Sequence, residues 1–154
     1  MVGEGLTDIV IGDMETGDLP SVLEIERASF AMPWSETSFF NELKNPRSIS
    51  RAARRDGRVT GYIFASRILD EGHILDLAVH PDFRRQGIAS ALVTHVIEHL
   101  REEGVRFIFL EVRESNVPAI KMYEQFGFEE IGIRKNYYVY PDEDAVIMCL
   151  KFGE

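Results

Sequence analysis

A single carboxylate interrupts an apolar strand pattern, and a carboxylate in such a place can act as a general base. Residues 106–113 alternate between two faces of a predicted strand, and both faces carry apolar side chains, as in the centre of a sheet. Glu111 is the exception. Loss of solvation should raise the pKa of this carboxyl toward the range useful for accepting a proton. The spacing equally allows the strand to end there, with Glu111 in water or paired with an arginine.

Two further candidates lie in the helical pattern that follows this strand, at residues 116–126. Asn116 stands at its start, with Pro118 in the first turn, which is typical of a helix cap. Tyr123 falls on an apolar stripe with Met122 and Phe126, where a tyrosine is ordinarily part of the core. A phenol with a pKa of ~10 can also donate a proton to a departing thiolate. Local spacing leaves both roles of each residue open.

A basic turn precedes another predicted helix in residues 75–90, which read LDLAVHPDFRRQGIAS. Arg84 and Arg85 stand where a helix N-terminus presents unpaired N–H groups, and Gly87 and Ala89 are small enough for a ligand to approach the backbone. This combination suits phosphate or pyrophosphate. The ordinary alternative is two solvated arginines in a surface loop.

The elements that must position these residues alternate along the whole chain. The patterns predict strands at residues 6–11, 48–55, 58–69, 73–80, 106–113, 128–138 and 145–152, with Asp56-Gly57 as a hairpin turn. They predict helices from Asp18 to Phe30, from Ser35 to Leu43 and over residues 87–103 and 116–126. We therefore expect one mixed α/β domain over residues 1–154.

The amino-acid composition disfavours several classes of protein. The 154 residues include 26 acidic and 17 basic side chains, a net charge of −9, which disfavours a general nucleic-acid binder. The single cysteine, Cys149, fits a reducing compartment, and neither a targeting signal nor a membrane-length apolar run is evident. We expect a cytoplasmic protein with no membrane partner and no direct nucleic-acid partner.

Three other patterns have simpler explanations. His95 and His99 flank Glu98 in a His-x-x-Glu-His arrangement found in zinc proteases, but no third ligand is evident and we expect no metal. Five arginines in residues 46–58 can touch RNA, although a solvated hairpin with charged edges explains them better. Cys149 falls in a strand pattern and fits the core better than a nucleophile.

Taken together, four ordered segments resemble the GNAT superfamily of N-acetyltransferases, and within it the ribosomal-protein-alanine N-acetyltransferases. They are MPWSETSF, LDLAVHPDFRRQGIAS, LEVRESNVPAIKMYEQFGF and IRKNYYVYPDEDAVIM, and the resemblance covers roughly residues 9–152. Ala89 stands where many members have glycine, which the family signature allows. The resemblance implies a single GNAT-type domain with a mixed, mostly antiparallel central sheet flanked by helices.

The resemblance also implies a site. Glu111 matches the family's proton acceptor and Tyr123 its proton donor. Acetyl-CoA is expected to bind at the strand and turn positions, together with an asparagine of the following helix: Leu77, Ala78, Val79, Arg84, Arg85, Gln86, Gly87, Ile88, Ala89, Ser90 and Asn116. The walls of a peptide groove fall on Trp34, Tyr137 and Tyr138.

The implied reaction is transfer of an acetyl group from acetyl-CoA to the N-terminal α-amine of a protein. A small-subunit ribosomal protein with an N-terminal alanine is the expected acceptor, and the amine attacks the thioester directly in a ternary complex. Two alternatives remain: an enzyme of the same superfamily that acetylates lysine, a polyamine or another small amine, and an acyl-CoA-binding module without turnover.

Overall fold

Seven strands and four helices make up the computed structural model, which describes residues 8–153. The element order matches the predicted one. In chain order the elements are β1 (Val10–Asp13), α1 (Leu19–Ser29), α2 (Glu36–Lys44), β2 (Ser48–Arg55), β3 (Arg58–Ile68), β4 (Glu71–Val79), α3 (Ile88–Glu102), β5 (Phe107–Arg113), α4 (Val117–Gln125), β6 (Glu129–Tyr138) and β7 (Glu143–Lys151).

The first strand is the clearest boundary error of the sequence prediction. The predicted strand at residues 6–11 begins outside the described residues, and β1 extends instead to Asp13. Pairing with β2 sets this end, since Asp13 lies opposite Arg51 and their side chains form an ion pair of 3.3 Å. The polar Asp13 is therefore held in the strand by its partner rather than by its own propensity.

The sheet has the order β1-β2-β3-β4-β5-β7-β6. The β4–β5 pair is parallel and the other five pairs are antiparallel, which confirms the mixed, mostly antiparallel sheet. The predicted hairpin between β2 and β3 is also confirmed. Asp56 and Gly57 adopt φ of 52° and 77°, the left-handed conformation that a tight two-residue hairpin turn requires.

Helices cover both faces of the sheet. On β3, Tyr62 and Phe64 pack in one core cluster with α1 and α2, while Ile63 and Ala65 pack in another with α3 and α4. Because neighbouring strand residues point to opposite faces, the two clusters lie on opposite sides of the sheet. The helix α3 contributes the apolar stripe that its sequence predicts: Ile88, Leu92, Val93, Val96, Ile97 and Leu100 are all buried.

Two irregularities of β4 determine where a site can form. Phe64 of β3 pairs with Asp76 and Ala65 pairs with Ile74, so Leu75 is an extra residue that forms a bulge. On its other edge, β4 pairs with β5 only through Glu71–His73. From there the two strands continue without pairing, and the edge of β4 after His73 is left open toward β5.

Candidate active site

A cleft of about 600 Å³ lies where β4 and β5 separate. Its walls come from α1, the segment around Trp34, the two strands, the start of α4 and the end of β6. The cleft brings together seven of the predicted site residues: Trp34, Leu77, Glu111, Asn116, Tyr123, Tyr137 and Tyr138. Residues from five separate elements thus meet in one cavity.

The remaining predicted residues lie outside the cleft lining, at the end of β4 and the start of α3. Gly87 precedes α3 with φ of 82°, a conformation that favours glycine, and Arg85 adopts φ of 63°. The side chain of Ile88 is buried in the core, so only its backbone is available to a ligand. These positions are Ala78, Val79, Arg84, Arg85, Gln86, Gly87, Ile88, Ala89 and Ser90.

Arg84, one of the two arginines predicted to add charge to the phosphate site, has hydrogen-bond partners within the fold. Its Nε donates to the carbonyl oxygen of Val79 at 3.0 Å, and its Nη2 donates to Ser29 Oγ at 3.0 Å. The guanidinium therefore ties the basic turn to the end of β4 and to α1. Because Ser29 also lines the cleft, these bonds make the turn a direct neighbour of the cavity.

Glu111 corrects the expectation that burial raises its pKa. His73 Nε2 and Glu111 Oε1 are 2.7 Å apart, and Arg134 Nε lies 3.8 Å from Glu111 Oε2. The hydrogen bond from His73 lowers the pKa of the Glu111 carboxyl, and this effect outweighs the opposing effect of burial. Glu111 is therefore an ionised carboxylate at neutral pH and a weaker base than an ordinary glutamate. His73 was not among the sequence candidates, because it lies 38 residues away and carries no motif.

Tyr123 is buried beside the cleft. Its ring packs edge-on against Phe128, with centroids 5.4 Å apart. Burial, then the neighbouring Asp76 and Tyr138, raise the pKa of its phenol well above the ordinary value of a tyrosine. The phenol is therefore neutral at physiological pH and is a weaker acid than an ordinary tyrosine.

Two neighbouring acids in the wall of the cleft, the buried Glu26 and the half-buried Asp76, also escaped the sequence analysis. Glu26 is 1% exposed; its Oε2 accepts from the Trp34 backbone N–H at 2.9 Å and its Oε1 accepts from the Tyr62 hydroxyl. Burial, followed by a hydrogen bond with Glu26, raises the pKa of Asp76 far above its ordinary range. Asp76 Oδ2 is buried and would have no partner if ionised, whereas the protonated form can donate to Glu26. The sequence feature that could have identified Glu26 is its position on the apolar stripe of α1.

Asp76 also occupies the amide of Leu77, two residues after the bulge. The Leu77 N–H donates to Asp76 Oδ1 at 3.0 Å. An acyl oxygen that uses this amide must therefore displace the carboxyl group of Asp76.

The walls of the cleft are held by aromatic and polar contacts. Trp34 packs against Phe39 with ring centroids 5.0 Å apart, and Tyr137 and Tyr138 meet edge-on at 5.0 Å. Burial raises the pKa of Tyr138 to about 12. Asn116 caps α4, since its Oδ1 accepts from Ala119 N–H at 3.3 Å.

The other chemically suggestive residues have partners within the fold. Arg51 Nε donates to His95 Nε2 at 3.2 Å, and His99 lies 3.1 Å from Glu103. Burial raises the pKa of the Cys149 thiol, which lowers its thiolate fraction and opposes a nucleophilic role. None of the helices in the described part of the chain is long and apolar enough to span a membrane.

Known proteins resemble this chain in both sequence and fold. Residues 19–128 match the acetyltransferase (GNAT) family. The [ribosomal protein bS18]-alanine N-acetyltransferase of Escherichia coli K12 is 41% identical over 142 residues, which cover 91% of this chain and 95% of that protein.

Solved structures agree with the sequence relatives. The crystal structure of the ribosomal-protein-S18-alanine N-acetyltransferase from Escherichia coli superposes with a TM-score of 0.89 at 38% identity, covering 95% of each chain. Arabidopsis thaliana NAA60 in complex with acetyl-CoA has the same fold, with a TM-score of 0.83 at 23% identity over 94% of this chain and 98% of that one. The resemblance read from the four sequence segments is confirmed: the chain belongs to the GNAT family of acetyltransferases.

Proposed function

We propose that this acetyltransferase transfers an acetyl group from acetyl-CoA to the N-terminal α-amine of a ribosomal protein that begins with alanine. The observation that carries the proposal is the convergence of Glu111, Tyr123 and the aromatic walls on one cleft. The relatives named for alanine N-acetylation of a ribosomal protein support this acceptor. Such an acceptor also places the reaction in the cytoplasm.

The end of β4 and the start of α3 fit acetyl-CoA. The open edge of β4 after His73 offers backbone groups to an extended chain such as the pantetheine arm. The first-turn amides of α3 and the positive end of its dipole suit the pyrophosphate, and Gly87 lets the ligand approach the backbone. Arg85 supplies positive charge at this turn, while Arg84 fixes the turn itself.

The α-amine is the acceptor best matched to a carboxylate base. An α-amine has a pKa of ~7.7–8.0 and lysine one of ~10.4, so at pH 7 the free base is a few hundred times, on the order of 10²–10³, more abundant for the α-amine. An ionised Glu111 with a lowered pKa is a modest base. It suffices for an amine that loses its proton readily and is poorly matched to lysine.

In the proposed reaction one side chain accepts the proton that the amine loses, and another donates a proton to the leaving thiolate. The neutral amine attacks the thioester carbonyl and forms the C–N bond, and Glu111 accepts the proton that the nitrogen loses. The C–S bond breaks, and Tyr123 donates its proton to the departing thiolate. General acid–base assistance of this kind contributes about 10²–10⁴-fold to turnover.

The test uses two matched peptides that begin with alanine and contain one internal lysine, one with a free and one with a blocked N-terminus. Each is incubated with the protein and acetyl-CoA, and the modified nitrogen is located by tandem mass spectrometry. We expect acetylation at the α-amine of the free peptide and none of the blocked one. Acetylated lysine in the blocked peptide would indicate a lysine acetyltransferase instead. Binding of acetyl-CoA without acetylation of peptides or small amines would indicate a binding module.

A further inference from the structure

We propose that His73 is a positioning residue that fixes the orientation of the Glu111 carboxylate. The inference rests on the proposed role of Glu111 as proton acceptor, and it adds a residue outside the four segments that carry the family resemblance.

The strand register places the two side chains together. His73 is the last residue of β4 that pairs with β5, opposite Phe109. Glu111 lies two residues beyond Phe109 and therefore shares its face of the strand. The result is the contact of 2.7 Å between His73 Nε2 and Glu111 Oε1, at the point where the strands begin to separate.

The two carboxylate oxygens have different surroundings. Oε1 is committed to His73, at a distance typical of a strong hydrogen bond. Oε2 faces Arg134 Nε at 3.8 Å, which is too long for a hydrogen bond. His73 therefore fixes the rotation of the carboxylate and leaves Oε2 as the oxygen available to the acceptor amine.

Water contributes little to stabilising the charge of Glu111. Its side chain is 13% exposed, whereas His73 is 39% exposed and Arg134 is 58% exposed. The other polar groups that face Glu111 are Tyr137 and Tyr138 of β6, and its partner on β7 is the apolar Ile147. The hydrogen bond from His73 is the largest of the effects that lower the pKa of Glu111, so without it the carboxyl binds its proton more tightly.

The test compares the variants His73→Leu and His73→Gln with the wild-type protein. The pKa of the Glu111 carboxyl is measured by ¹³C NMR titration of glutamate-labelled protein, with its signal assigned by its loss in Glu111→Gln. His99→Gln, which alters another histidine–glutamate pair away from the cleft, is the matched control.

We expect His73→Leu to raise the pKa of Glu111 because the hydrogen bond that lowers it is lost. We expect kcat to fall about tenfold because the carboxylate is no longer held in one orientation, with KM for acetyl-CoA unchanged. His73→Gln keeps an N–H donor and should recover most of kcat, and the control should match the wild type. An unchanged pKa of Glu111 in His73→Leu would overturn the proposal, as would a His73→Gln variant as impaired as His73→Leu.

The NMR measurement needs no turnover, so it separates this inference from the proposed function. A shifted pKa combined with wild-type turnover in Glu111→Gln would support the His73 contact and remove Glu111 from the role of base.

Discussion

Replacement of Asp76 by asparagine should stabilise this protein at neutral and alkaline pH. The substitution keeps the size of the side chain and offers Glu26 a neutral N–H donor. In the wild type, Asp76 must hold a proton to donate in the same way, because Oδ2 is buried without another partner. The unfolded chain releases that proton at the ordinary pKa of ~3.9.

The sign of the pH dependence follows from this difference. The pKa of Asp76 is higher in the folded than in the unfolded state. Above about pH 4 the folded protein therefore binds more protons than the unfolded chain, and the free energy of unfolding falls as pH rises toward the raised pKa. Each unit of pKa difference contributes about 1.4 kcal/mol. The asparagine variant has no proton to retain, so it lacks this loss of stability.

Thermal unfolding followed by circular dichroism between pH 4 and pH 9 measures the effect. A single unit of pKa difference, taken as the minimum, gives the variant about 1.4 kcal/mol at pH 8, or roughly 3–6 °C in Tm for a chain of this length. This advantage should vanish near pH 4, where both side chains are neutral. Asp142→Asn, at an exposed side chain of the loop between β6 and β7, is the control and should show no comparable trend. Tm curves for the wild type and Asp76→Asn that stay parallel over the whole range from pH 4 to 9 would refute the assignment of a proton to Asp76.

Three substitutions in the cleft separate catalysis from binding and folding. Glu111→Gln should lower kcat about 10²–10⁴-fold while calorimetry shows unchanged acetyl-CoA affinity, and equal turnover would exclude the base role. Tyr123→Phe keeps the ring packed on Phe128, so steady-state kinetics should show a reduced kcat at an unaltered Tm; a wild-type kcat would mean that another group protonates the thiolate. Asn116→Ala removes the cap of α4 and should cost about 0.5–2 kcal/mol in chemical denaturation, with a raised KM for acetyl-CoA only if Asn116 also contacts the ligand.

Local patterns predicted the elements of the fold well because their causes are local. Ser35 caps α2 by accepting from the Ser38 N–H at 3.1 Å, and the Asp56-Gly57 turn adopts the positive φ values its residue types favour. The cleft residues were found because the family resemblance covers the elements that carry them. Local caps, local turns and a family resemblance can all be recognised without knowing which residues far apart in the sequence are in contact.

The electrostatics of the site could not be predicted in the same way. Glu111 was expected to have a raised pKa, and the sign was wrong because His73 donates to it from 38 residues away. Glu26 accepts a hydrogen bond from the hydroxyl of Tyr62, which lies 36 residues further along the chain. Both contacts depend on strand register and helix packing. These cannot be derived from local sequence patterns with the precision that a hydrogen bond between two particular atoms requires.

The geometry of β4 explains why chemistry concentrates at one place in this fold. Pairing with β5 ends at His73, so the two strands open a space between them. The bulge at Leu75 then shifts the alternation of β4 by one residue, and Asp76 faces Glu26 and Tyr62 while Leu77 packs on the side of α3. One strand thus provides His73 beside Glu111, Asp76 in the wall of the cleft and, at its end, the turn that begins α3. The histidine that contacts Glu111, the Asp76 carboxyl and the basic turn lie close together because β4 and the turn that follows it carry all three.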